Sequence, residues 1–140
     1  MSEHNISVQY IMLNALLNNK LVKRLEGALN YHGVSYTEFM ILHHLHSSPT
    51  NTMRRMDLAN AVGITASGVT RLLAPMEKNH LVEKEANPRD ARVSLVKLSD
   101  TGQRVYQESA VAFEHCASSL TSPLTENQLE KLIELSQRLM

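Results

Sequence analysis

The sequence predicts a mainly α-helical chain with one short β-hairpin set among the helices, and three observations carry the prediction. Apolar residues recur at helical spacing from Ile6 to Asn30 and again from Gly102 onward. Between them, two shorter helical patterns meet at Gly63-Ile64-Thr65. After Asn79 the period changes to that of strands, broken by turn residues at Asn87-Pro88-Arg89-Asp90.

Taken in order, Ile6 to Asn30 reads as one long helix. Tyr10, Leu13, Leu17, Leu21, Leu25 and Leu29 form its stripe, broadened by Met12, Leu16 and Val22. So wide a band wants more partners than a small monomer supplies. Gly33 ends that helix, and Ser35 or Thr37 caps the next, with Glu38 in its first turn. Phe39, Leu42 and Leu45 face inward. Ser47 to Asn51 is a loop, and Thr52-Met53-Arg54 is a candidate third strand that leaves Met56 or Asp57 to start the following helix.

In that helix Leu58, Ala59 and Val62 give one apolar face, and Asp57 sits near the positive end of the dipole. Gly63 stops it, because glycine takes a left-handed backbone at little cost. Ile64 turns back to the core and Thr65 caps a second helix. There Val69, Leu72, Leu73 and Met76 share a face, while Ser67, Gly68, Thr70 and Arg71 fall off it. Short polar side chains at a helix N-terminus, with an Arg able to reach a guanine or a phosphate, are what a recognition helix in a DNA major groove requires. Pro75 removes a bond to the Arg71 carbonyl, so a kink is expected there, with Met76 continuing the apolar face.

Leu81-Val82 then begins one strand, and in the other Val93, Leu95 and Lys97 alternate with Ser94 and Val96. Asp90 and Arg92 are placed to pair across the turn. Arg89 and Arg92 at a hairpin tip suit a narrow minor groove, where negative potential is strongest. Helix, tight turn, helix and hairpin together make a winged helix-turn-helix, with a two-stranded wing that Thr52 to Arg54 would extend to three.

Here the pattern becomes specific. Asp90-Ala91-Arg92, followed by Leu98-Ser99 and Gly102, resembles the Asp-x-Arg…Leu-Thr-x-x-Gly signature of the MarR family of multiple-antibiotic-resistance-type regulators. The Leu-Ala…Gly-Ile-Thr…Val-Thr-Arg-Leu segment before it is similar to that family's helix-turn-helix, and the likeness extends over nearly the whole chain. The resemblance implies a dimeric winged-helix transcription factor, often a repressor released by a small ligand or by oxidation. His80 stands where relatives usually have Gly, so Asn79 is expected to supply the left-handed cap. Lys84 stands where Arg is common, and Ser99 replaces Thr while keeping a capping hydroxyl.

Composition agrees. The 140 residues suffice for a single domain with a modest core. Within it residues 36–98 are the winged helix, and 1–34 and 100–140 the helical dimerisation region. There is no run near membrane-span length, and Glu3 and His4 give no signal-peptide layout, so a cytoplasmic location is expected. One Cys excludes an internal disulfide. Net charge is zero, yet from Arg54 to Arg104 nine Lys/Arg stand against six acids, leaving the remainder negative. The positive excess therefore lies on the reading module.

At the other end, Gly102 to Ser119 is the fifth helix, capped by Ser99 or Asp100, with Tyr106, Ala110, Phe113, Ala117 and Leu120 as a heptad-like seam. After Pro123, Thr125 caps a last helix carrying Leu129, Leu132, Ile133 and Leu139. These helices and the first read as the interface of a homodimer, which would set two recognition helices about 34 Å apart on an inverted repeat of double-stranded DNA.

The expected DNA contacts are Ser67, Gly68, Thr70 and Arg71 with Thr65 at the helix start, and Arg89, Asp90 and Arg92 on the wing. Arg54, Arg55 and Lys78 are phosphate candidates. A small-molecule effector is a further expected partner. Relatives bind aromatic acids where the first, second and fifth helices meet the reading module, and Tyr10, Asn14, His43 and Arg71 are the residues assigned to that pocket.

No metal or other cofactor is expected. His43 and His46 share a helix face, but a strong site shows His-x3-His, and His115 has Val111 and Ser119 at those offsets. Cys116 lies beside Glu114, which would raise its pKa, so it reads as a small buried residue rather than a redox sensor. A metal- or redox-responsive regulator of the same fold is the alternative. An enzyme is not expected, since Gly-x-Ser-x-Gly, phosphate loop and His-Glu-x-x-His are all missing. A winged helix used only for protein contacts would want an apolar or acidic face at Ser67, Thr70 and Arg71.

Overall fold

A computed structural model describes residues 4–140, so Glu3 in the N-terminal reading lies outside the described residues. The order is α1 (Ile6–Leu29), a short 3-10 turn (Asn30–His32), α2 (Tyr36–Ser47), β1 (Thr52–Arg54), α3 (Arg55–Val62), α4 (Ala66–Lys78), β2 (Val82–Ala86), β3 (Ser94–Leu98), α5 (Asp100–Thr121) and α6 (Glu126–Arg138). No helix among the described residues is long and apolar enough to cross a membrane.

The helix starts follow capping chemistry. Ser35 and Thr125 each form a capping box, with Glu38 and Gln128 reaching back to the cap N–H. Thr65 caps α4 and Ser99 caps α5, each accepting the N–H three residues on. Gly63 closes α3 at φ +80°. α3 begins at Arg55, ahead of both Met56 and Asp57, with Arg54 in the cap position.

The three-residue strand is real, and the sheet is three-stranded and antiparallel in the order β1-β3-β2. The wing's second strand is therefore central, with Val96 opposite both Met53 and Lys84. Its inward face is Val96 and Leu98; Val93 is exposed. The core gathers these with Leu42, Leu45, Leu58, Val69, Leu73, Met76 and Val82, so α2, α3, α4 and the sheet close one apolar centre.

α4 ends differently from expectation. Asn79 stays at φ −87°, and His80 itself adopts the left-handed conformation at φ +61°. The reason is the bond pattern: the His80 N–H donates to the Glu77 carbonyl and the Leu81 N–H to Met76. That is a Schellman closure, whose left-handed position falls on residue 80 whatever its side chain.

The next joint is tight. Ser99 Oγ donates toward the His80 and Leu81 carbonyls and accepts from the Gly102 N–H, 2.9 Å away. A Cβ on Gly102 would overlap the Leu81 carbonyl. Glycine is needed there for close approach, not for an unusual φ.

The α5 seam is used inside the chain. Phe113 and Tyr106 stack on Phe39 of α2, with ring centroids 4.6 and 5.4 Å apart. α1 divides: Leu25 and Leu29 are buried, whereas Leu13 and Leu17 are 63% and 50% exposed.

Candidate nucleic-acid interface

α4 is held by its apolar face and presents the opposite one. Val69, Leu73 and Met76 are fully buried, while Thr65, Ser67, Thr70 and Arg71 are exposed around the first two turns. The Thr65 hydroxyl accepts the Gly68 N–H at 3.0 Å and lies 3.1 Å from Ser67 Oγ, so the cap and the exposed serine form one polar edge. Arg71 has neither hydrogen bond nor ion pair to any described residue, which leaves five guanidinium donors for an outside partner. Gly68 departs from the expected open face. Its missing side chain would point at Thr65 Oγ1 and Ile64, 3.2 and 3.7 Å away, so glycine there lets the first turn pack on the cap.

The wing tip is a pair of side-chain-stabilised turns. Asn87 Oδ1 accepts the Arg89 N–H and Asp90 Oδ1 the Arg92 N–H, both at 3.0 Å. Arg92 Nε also donates to Asp90 Oδ1 at 3.2 Å, though the Arg92 side chain remains 91% exposed. These side-chain and backbone bonds from Arg92 hold the Asp90 carboxyl below the usual carboxylate range. Asp90 thus shapes the turn, and the Arg89 side chain projects without a partner among the described residues.

The remaining cations divide. Arg54 forks onto Asp57, with Nε 3.0 Å from Oδ2; that hydrogen bond, then the charge, raises the already high Arg54 pKa. Lys78 is exposed at the far end of α4, roughly 18 Å along the axis from Ala66. Arg55 turns away from solvent, toward α4.

The four residues assigned to an effector pocket do not converge. His43 lines a cavity of about 380 Å³ between α2 and α5, with Phe39, Met40, Tyr106, Phe113 and Glu114. Tyr10 lies instead in a cleft with Leu132 and Leu135 of α6 and Leu139 just beyond it, Asn14 is exposed on α1, and Arg71 is on α4. The lining of the α2–α5 cavity was missed because the apolar spacing of α5 does not say which helix it meets. The signal was there in Tyr106, Ala110 and Phe113, the positions that face Phe39.

In that cavity His43 Nδ1 and the Tyr106 hydroxyl lie 2.8 Å apart. Burial raises the Tyr106 pKa, and burial, then the neighbouring His43, lowers that of His44. Cys116 is half-buried against α1, its Sγ 3.7 Å from the Arg24 carbonyl.

The chain is similar to known proteins. Residues 32–93 match the model of the MarR family. The transcriptional repressor MprA of Escherichia coli (strain K12) is 24% identical over 135 residues, covering 94% of this chain and 77% of that protein. Among solved structures, AbsC, a MarR family transcriptional regulator from Streptomyces coelicolor, superposes with a TM-score of 0.89 at 23% identity, over 99% of this chain and 95% of that one. A mutant MarR from E. coli complexed with operator DNA also gives 0.89, at 20% identity, over 100% and 99% of the two chains. The chain is thus similar to the MarR family over its winged helix, and it shares the fold of these regulators over nearly its whole length.

Proposed function

We propose that this chain is a DNA-binding repressor that acts as a homodimer on an inverted-repeat operator and is released by a small aromatic effector. The observation that carries DNA binding is the pairing of two exposed features on one scaffold: the polar N-terminal edge of α4 with its unpartnered Arg71, and the wing turn bearing Arg89 and Arg92. The α4 edge suits the major groove and the wing the adjacent minor groove. Ser67, Thr70 and Arg71 read base edges, Thr65 and Gly68 seat the helix N-terminus, and Asp90 holds the Arg92 side chain in place. Arg54 and Lys78 lie further out and contact phosphates.

Repression is supported by the relative MprA, and operator binding by the DNA-bound MarR structure. The effector reading is supported by the apolar, aromatic cavity at His43, which joins the helix preceding the reading module to α5. A ligand there would change the angle between two reading modules, with coupling of about 1–3 kcal/mol. The protein would then work inside the cell.

The test compares wild type and Arg71→Ala on a duplex selected by the wild-type protein from a random pool and on a scrambled duplex. A bidentate base contact predicts a loss of about 1–3 kcal/mol on the selected duplex alone. Equal loss on both would reduce Arg71 to a phosphate contact, and failure of the wild type to select any sequence would refute the DNA-reading function.

A further inference from the structure

Arg55 is the basic residue of the reading module that does not face outward. It opens α3, and its guanidinium lies against α4. Its Nη1 donates to Thr70 Oγ1 at 3.1 Å, and its Nη2 lies 3.7 Å from Glu77 Oε1. The Arg55 and Glu77 side chains are 26% and 29% exposed, so the pair is sheltered. Thr70 and Glu77 are seven residues apart, two turns along one face of α4. One planar fork therefore ties the first turn of α3 to two levels of α4 that lie two turns apart.

The consequence falls on Thr70. Its hydroxyl donates its one proton to the Ala66 carbonyl at 3.2 Å and accepts from Arg55. A threonine hydroxyl has one donor and two acceptor lone pairs. Thr70 is left with a single lone pair and a fixed rotamer. Toward a base edge it can only accept, and the major-groove donors are the amino groups of adenine and cytosine.

We propose that Arg55 is a positioning residue for sequence reading: it holds Thr70 as an acceptor and fixes the seat of α4 on α3, without itself touching DNA. This rests on the DNA-reading function proposed above. It separates Arg55 from Arg71, whose donors are free, and from a phosphate cation, whose charge must face outward.

The experiment measures binding by fluorescence anisotropy to the selected and the scrambled duplex at several salt concentrations. Wild type is compared with Arg55→Ala, Arg55→Lys, Thr70→Val and the double variant Arg55→Ala/Thr70→Val, with helix content and melting checked for each. A strut predicts about a tenfold fall in preference for the selected duplex in Arg55→Ala, with scrambled-duplex affinity and salt slope unchanged. Arg55→Lys behaves like Arg55→Ala, because a point charge cannot bridge two partners as a planar fork does. The double variant is no worse than the worse single variant, since both remove one interaction.

A phosphate contact predicts the reverse and would overturn the inference: both duplexes weaken together, the salt slope falls by about 0.9, and Arg55→Lys is near wild type. Additive losses in the double variant would also overturn it, because Arg55 would then act apart from Thr70. Selection of no sequence by the wild type would instead bring down the DNA-reading function, and the inference with it.

Discussion

The winged module and the terminal helices are built from the same residue types and reach opposite outcomes. In the module, the apolar faces of α3, α4 and the sheet close on α2, and Leu58, Val69, Leu73 and Met76 have no exposed surface. On α1 and α6, Ile11, Leu13, Leu16, Leu17 and Ile133 remain open to solvent, as does Leu139 just after α6. A monomer that completes one core and leaves a second apolar surface this broad is poised for assembly. On the function proposed above, the module would carry the reading surface, and the terminal helices the face on which two copies join.

The largest expected effect comes from breaking the open side. Leu13→Glu/Leu17→Glu places two charges where an apolar partner would sit. Association should weaken by about 3–5 kcal/mol, as unpaired charges buried at an interface do. Sedimentation equilibrium should show monomers, with helix content kept and specific DNA affinity lost. A dimer of unchanged strength would place the interface elsewhere.

Within the closed module, Gly102→Ala forces a methyl into the Leu81 carbonyl and Leu98 Cδ1. A loss of about 1–3 kcal/mol is expected in denaturant unfolding, by overpacking. His80→Gly should act in the opposite direction, gaining about 1 kcal/mol, because a left-handed backbone disfavours any residue with a Cβ. A melting temperature unmoved by His80→Gly would mean the Schellman turn is not formed in solution.

The smallest effect is the wing's pH response. Asp90 is depressed in the folded chain, first by the Arg92 side chain and then by its backbone N–H. A depressed carboxyl stabilises above its unfolded pKa, near 4, and loses that contribution as pH falls through the folded value. Amide signals of Arg92 should therefore hold steady from pH 8 to 5 and shift only in stronger acid, with Asp90→Asn removing the shift.

Legibility in the sequence followed the range of the interaction. Gly63, Thr65, Ser99 and Thr125 announce helix ends because caps are local bonds within a few residues. The Asp90–Arg92 turn was legible for the same reason. What escaped needed distant partners. The central place of β3 depends on β1, about forty residues earlier in the chain. The spacing of the α5 seam suits a second chain as well as it suits Phe39 of α2, which stacks beneath it. Arg55 read as one more surface cation, because nothing local reveals Thr70 and Glu77 across the turn. At His80 the bond pattern, rather than residue preference, selects the left-handed position.

The measurement closest to the central claim is a stoichiometric titration of the full chain on the selected duplex, set beside the scrambled one, by fluorescence anisotropy with sedimentation of the complex. A completed module presented twice predicts two chains per duplex, tight and salt-sensitive binding, and preference for the selected sequence that falls when one half-site is erased. One chain per duplex, or equal binding to both sequences down to low salt, would contradict it.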